Sequence, residues 1–145
     1  MINKLIRESK LTKSEKEKLT KLALKPTHLY TNVILDLVKK VKVKSIANIT
    51  GGGLSENIPR SIPNTLSCEI YLKNWKMPQF FATLQKLGKI EMSDMLRIFN
   101  CGIGMTVIIE PRELDSTMKV LSKHKFKGFM IGKVIKKSSS AITFL

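Results

Sequence analysis

Residues 48–60, NITGGGLSENIPR, set the strongest constraint on how this chain can fold. Three of its eight glycines stand in one row, between the apolar run SIANIT and LSENIPRSI, a stretch of helical character that ends at Pro63. Glycine loses more backbone freedom on folding than any other residue. A triplet is therefore kept where the backbone turns sharply or approaches something closely. With a strand entering and a helix leaving, Gly51, Gly52 and Gly53 form a strand-to-helix turn. Such a turn presents free N–H groups at the positive end of a helix dipole, which favours an anion. Arg60, at the far end of the helix, offers a further charge-assisted contact. The spacing matches neither GxxxxGK[ST] nor GxGxxG. Two roles stay open from the residues alone: phosphate binding, and close packing of strand against helix.

Around this turn, helical and extended patterns alternate. Ile2, Leu5 and Ile6 have helical spacing from the first residues, and SKLTKSEKEKLTKLALK continues as a mobile helix or linker closed by Pro26. Thr31 is the expected N-cap of NVILDLVKKV, in which Val33, Ile34, Leu37, Val38 and Val41 trace one apolar face. LSCEIYL suits a strand. Met77–Leu87 reads as a helix with Pro78 in its first turn and Gly88 as C-cap. A short helix over 90–99 follows, then the strand CGIGMTVIIE, then a helix begun by Pro111 with Leu114, Met118 and Leu121 on one side. GFMIGKVIK and AITFL are two strands joined by a Lys-Lys-Ser-Ser-Ser turn. The expectation is an α/β or α+β domain built on one mixed sheet of four or more strands.

A second glycine-bearing stretch, FNCGIGM (99–105), opens the predicted strand. Asn100 can bond its own backbone or a ligand, and Cys101 reads as a buried thiol with no histidine near it in sequence. Cys68 and Cys101 are too few for a disulfide framework and lack metal-ligand spacing, so no metal site is expected. Asp94 and Arg97 have the spacing of a surface pair.

The chain is strongly basic, with a net charge of +15. Yet 22 of its 26 basic residues are lysines, scattered in pairs, with one Trp and two Tyr to stack on bases. Nucleic-acid readers depend on arginine forks and aromatic platforms, so a lysine-covered, solvated surface is the expected meaning of the charge. The alternative is a basic RNA-binding module whose affinity falls steeply with salt. The N-terminus has no signal-peptide core, and no apolar run is long enough for a bilayer. The expectation is a soluble, cytoplasmic protein.

KPTHLY (25–30), ANITGGGLSENIPR (47–60), Trp75 with Pro78 and the helix ending LQKLG (88), and DMLRIFNCGIGM (94–105) together resemble the C-terminal half of the phosphoribosylformylglycinamidine cyclo-ligase (AIR synthetase) family. The resemblance runs from about residue 24 to the end. It implies a 24–145 domain preceded by a helical segment, 1–23, left from a domain junction. It also implies ATP-dependent ring closure: formylglycinamidine ribonucleotide and ATP give aminoimidazole ribonucleotide, ADP and phosphate, with Mg2+ neutralising charge during phosphoryl transfer. In that family a separate N-terminal domain supplies most ATP and Mg2+ contacts, and the enzyme is a homodimer. The isolated chain is expected to be inactive. By resemblance, Gly51, Gly52 and Gly53 belong at the ribonucleotide phosphate or cleft wall, with Thr50, Asn57, Arg60 and Asn100 beside them. Other members of the same ATP-using superfamily share only a looser glycine-rich loop. Two positions depart from the pattern. Asn48 stands where the family usually has histidine, and cannot titrate. His28 stands where it often has arginine.

Overall fold

The computed structural model describes residues 2–145. In chain order it contains α1 (Ile2–Glu8), α2 (Lys13–Ala23), α3 (Thr31–Lys40), β1 (Val43–Asn48), α4 (Gly53–Arg60) and β2 (Leu66–Ile70). Then come α5 (Gln79–Gly88), α6 (Met92–Ile98), β3 (Met105–Ile109), α7 (Leu114–Lys123), β4 (Gly132–Lys136) and β5 (Ile142–Phe144). None of these helices is long and apolar enough to cross a membrane.

The mixed α/β class holds, but the single sheet of four or more strands does not. β1 and β3 form an antiparallel ribbon, while β4, β2 and β5 form a separate three-stranded sheet with β2 in the centre. Helix α4 contacts β1 and also β2 and β5, so the two sets of strands are connected through α4 and not by strand pairing. β4 and β5 are not a hairpin either. β4 runs antiparallel to β2 on one side, with Cys68 opposite Val134, and β5 runs parallel on the other, with Cys68 opposite Ile142. The Lys-Lys-Ser-Ser-Ser segment therefore crosses the end of β2. Ser67 secures that crossing: its hydroxyl donates to the Ser140 carbonyl (2.8 Å) and accepts from the Ser138 N–H (3.0 Å). Only 1% of Ser67 is exposed, so both bonds are made away from water.

Three apolar clusters hold the layers. The largest joins Ala47, Ile49, Leu54, Ile58, Cys68, Ile70 and Trp75 to Met95, Leu96 and Cys101. A second packs Val33, Leu37 and Val41 of the α3 segment against Val120 of α7 and the ribbon residues Val107 and Ile109. A third joins Ile6, Leu19 and Leu84, so the first two helices pack against α5. The segment read as a mobile helix or linker forms helix α2 over Lys13–Ala23. Thr12 accepts from the Glu15 N–H, and the Glu15 carboxylate accepts from the Thr12 N–H, a reciprocal cap that satisfies two orphan donors.

Local expectations shift by small amounts elsewhere. Tyr30, not Thr31, is the N-cap of α3, and it makes no side-chain cap bond. Lys89 in the left-handed region (φ 48°), not Gly88, caps α5. Val38 leaves the predicted apolar face and is 47% exposed, beside Leu35 at 52%.

Asp36 ties α3 to α7: its carboxylate accepts from His124 Nε2 (2.9 Å) and from the ammonium groups of Lys123 (3.1 Å) and Lys40 (3.2 Å). His124, then Lys123 and Lys40, hold the Asp36 carboxyl well below the usual carboxylate range. A depressed folded-state value contributes stability above the unfolded value, and that contribution is lost as pH falls through the folded one. Asp36→Asn should therefore lower the urea midpoint at pH 7, with the gap to the natural chain shrinking below about pH 4. A gap that grows on acidification would contradict this. Ser67→Ala should cost about 1–3 kcal/mol, because it strands the Ser138 N–H and the Ser140 carbonyl; equilibrium urea unfolding of the variant measures the loss.

Candidate functional site

The two glycine stretches meet where the ribbon ends. Asn48 at the end of β1 lies opposite Met105 at the start of β3, and the Ile49 N–H donates to the Gly104 carbonyl at 2.9 Å. The turn 50–53 and the loop 99–104 are thus neighbours.

Each glycine of the triplet has a different reason to lack a side chain. Gly53 opens α4 with φ +55°, and a Cβ there would overlap the Leu96 carbonyl oxygen and come within 2.8 Å of that of Phe99. Its absence lets α4 lie directly on the end of α6. Gly52 caps the helix at φ +95°, a conformation that side chains rarely adopt, and Glu56 Oε2 would sit 2.7 Å from its Cβ. Gly51 has neither constraint: it is exposed, its φ is ordinary, and nothing lies within 4 Å of a Cβ placed on it. Close packing therefore accounts for Gly53, while open space stands over Gly51.

Asn57 braces the turn from below. Its side-chain amide donates to the carbonyls of Gly51 (3.1 Å) and Gly53 (2.7 Å), while its oxygen lies 3.5 Å from the exposed Thr50 hydroxyl. Asn57 is thus a support whose donors are already used. Arg60 is also engaged, in an i,i+4 ion pair with Glu56. The carboxylate of Glu56 occupies space beside Gly52 at the helix N-terminus, where it complements the dipole. The structure therefore places Arg60 on Glu56 and not on the glycine turn.

Loop 99–104 is the point on which the distant segments converge. Asn100 Oδ1 accepts from the Gly102 N–H (3.0 Å), an Asx-type turn. Cys101 takes φ +49° with its thiol buried, and the Trp75 indole N–H donates to its carbonyl at 3.1 Å. A Cβ on Gly102 would overlap the Pro78 ring, and one on Gly104 would overlap the Tyr30 hydroxyl. Gly53 reaches the same loop through Phe99. Sequence reading missed Tyr30, Trp75 and Pro78 as site-building residues. Their signal was their presence in the segments KPTHLY and WKMP, with no periodicity to mark them.

No group of three or more His, Cys, Asp or Glu side chains that could hold a metal converges among the described residues. His28 is turned to aromatic packing with Tyr30 and Phe126. Burial pushes the Cys101 thiol up to about 11 and also raises that of Cys68, so neither supplies a nucleophilic thiolate at neutral pH.

Fold and loop together define a C-terminal domain of the AIR synthase-related class. The model of that family, "AIR synthase related protein, C-terminal domain", matches residues 1–144, and the chain belongs to it. Among curated proteins it is similar to the phosphoribosylformylglycinamidine cyclo-ligase of Staphylococcus aureus (strain bovine RF122 / ET3-1), at 35% identity over 148 residues, 100% of this chain and 43% of that relative. It is 42% identical to that of Bacillus cytotoxicus over 118 residues, 81% of this chain and 34% of the relative. To that of Caldicellulosiruptor bescii it is 42% identical over 113 residues, 78% of this chain and 33% of the relative. The chain therefore covers between a third and just under half of the length of these relatives.

Two outcomes follow from this geometry. Gly53→Ala should lose about 2–4 kcal/mol through backbone overlap and a left-handed φ, whereas Gly51→Ala should stay within about 0.5 kcal/mol of the natural chain; denaturant midpoints compare them. Both thiols should resist a disulfide-exchange reagent at pH 7.5 in the folded chain and react once it is unfolded in urea, and rapid modification of native protein would show the burial to be wrong.

Proposed function

We propose that this chain is the C-terminal part of a phosphoribosylformylglycinamidine cyclo-ligase and that its glycine face forms one wall of the ribonucleotide cleft. One observation carries the reading. The other three sequence segments that resemble the family all contact loop 99–104, which lies in the fourth: Tyr30 against Gly104, Gly53 against Phe99, and from one segment both Trp75 on the Cys101 carbonyl and Pro78 against Gly102. Segments that lie far apart in the chain and resemble one family thus meet in one surface. The similarity to cyclo-ligases over the whole chain supports the same assignment.

Within that cleft the roles separate. Gly51 and the Thr50 hydroxyl face the ribonucleotide, where backbone can approach a phosphate without a side chain between. Gly52, Gly53 and Asn57 hold the turn, and Asn100 shapes the facing loop. Arg60 contributes by neutralising Glu56, which otherwise repels an anion at this helix end. No group of three or more His, Cys, Asp or Glu side chains that could hold a metal converges among the described residues, and the triplet lacks the lysine and hydroxyl of a nucleotide-phosphate loop. ATP and magnesium are therefore assigned to an N-terminal domain. Residues 24–145 are the cleft-wall domain, and 1–23 the segment at its junction.

The chain alone should form no aminoimidazole ribonucleotide. A chimera in which it replaces the matching region of the S. aureus relative should form it. In that chimera Gly51→Leu should raise the KM for the ribonucleotide at least tenfold with little change in unfolding midpoint. Product formation by the isolated chain, or an unchanged KM in the Gly51→Leu chimera, would overturn the assignment.

A further inference from the structure

Helix α3 and the β1–β3 ribbon leave apolar surface uncovered that their sequence is built to bury. Met105–Ile109 is an unbroken run, Met-Thr-Val-Ile-Ile, suited to a strand covered on both faces, yet none of its five residues is fully buried. The ribbon has two strands, so each keeps one unpaired edge, and an isolated pair of strands is marginal by itself. On α3, Leu35 and Val38 share an outward face and are 52% and 47% exposed. Ile46 of β1 and Leu29, just before α3, add 36% and 88%. A helix with apolar residues on both its inner and outer sides belongs inside a larger body.

Two facts select what covers this layer. A second copy is disfavoured by a charge of +15 on each chain and by the exposed Lys39, Lys40, Lys42 and Lys44 beside the apolar face. The chain matches a family of C-terminal domains, and the S. aureus relative it matches along its full length has more than half of its own length outside the match. We propose that the outer face of α3 and the open ribbon are the docking surface for the N-terminal portion of such a protein, which meets them with apolar side chains inside an acidic rim. This rests on the cyclo-ligase reading above, but concerns a different surface from the glycine turn.

The test mixes the purified chain with the separately expressed N-terminal portion of the S. aureus relative and reads complex formation by sedimentation velocity. A one-to-one complex is expected. Leu35→Asp and Val38→Asp, each folded by circular dichroism because the side chains are already exposed, should weaken it at least tenfold. Met130→Asp, on the segment leading into β4 of the other sheet and also exposed, should leave it unchanged. Absence of a complex, a complex indifferent to both α3 variants, or self-association of the chain that these variants abolish, would each overturn the proposal. A complex that forms through α3 yet makes no product would leave the docking surface standing and remove the functional reading.

Discussion

The close approach of Gly53 to the carbonyl oxygens of Leu96 and Phe99 is the contact on which the rest of this structure depends. Any side chain at residue 53 would lift α4 off α6, and α4 is the element that touches both the ribbon and the three-stranded sheet. Leu54 and Ile58, buried on the same helix, fill the largest apolar cluster from this position. Loop 99–104 follows α6 directly, so its place is set by the same crossing. Packing and site geometry here are one constraint: the glycine that permits the helix crossing also sets the height of the turn that carries Gly51.

Much of this was legible in the residues. The strand, glycine turn and helix over 47–60 occur as the pattern implies, as do α3, α5, α6 and the helix after Pro111. What the sequence lacks is any sign of which strands are neighbours. β4 and β5 look like a hairpin because a short polar segment joins them, but each pairs with β2 instead, and the buried hydroxyl of Ser67, a residue inside an ordinary strand pattern, holds that segment across the end of β2. The sheet count failed for a similar reason, since a helix that contacts both sets of strands leaves no periodicity in either. Arg60 illustrates a different limit. An arginine near a glycine turn suggests an anion partner, but a glutamate four residues earlier was already in reach. The distinct duties of Gly51, Gly52 and Gly53 are invisible in a run of identical letters, because they depend on what lies across from each.

The charge of the chain is carried in the same local way. Lys44 pairs with Glu110, Lys133 with Glu69, and Lys40 and Lys123 share Asp36 with His124. Three of the 11 acidic residues, Asp36, Glu69 and Glu110, thus link one element to another, while most lysines stay in solvent. Such pairs are worth little individually when exposed, so their contribution is to orientation: Asp36 holds α7 against α3, and Glu110 fixes the far end of the ribbon.

The convergence on loop 99–104 also governs when the site can exist. Its contacts come from residues 30, 53, 75 and 78, so they close chain loops of about 25 to 75 residues, and loop closure must be met before such contacts return any free energy. The surface therefore belongs to the assembled domain, since no single stretch of the chain contains the contacts that shape it.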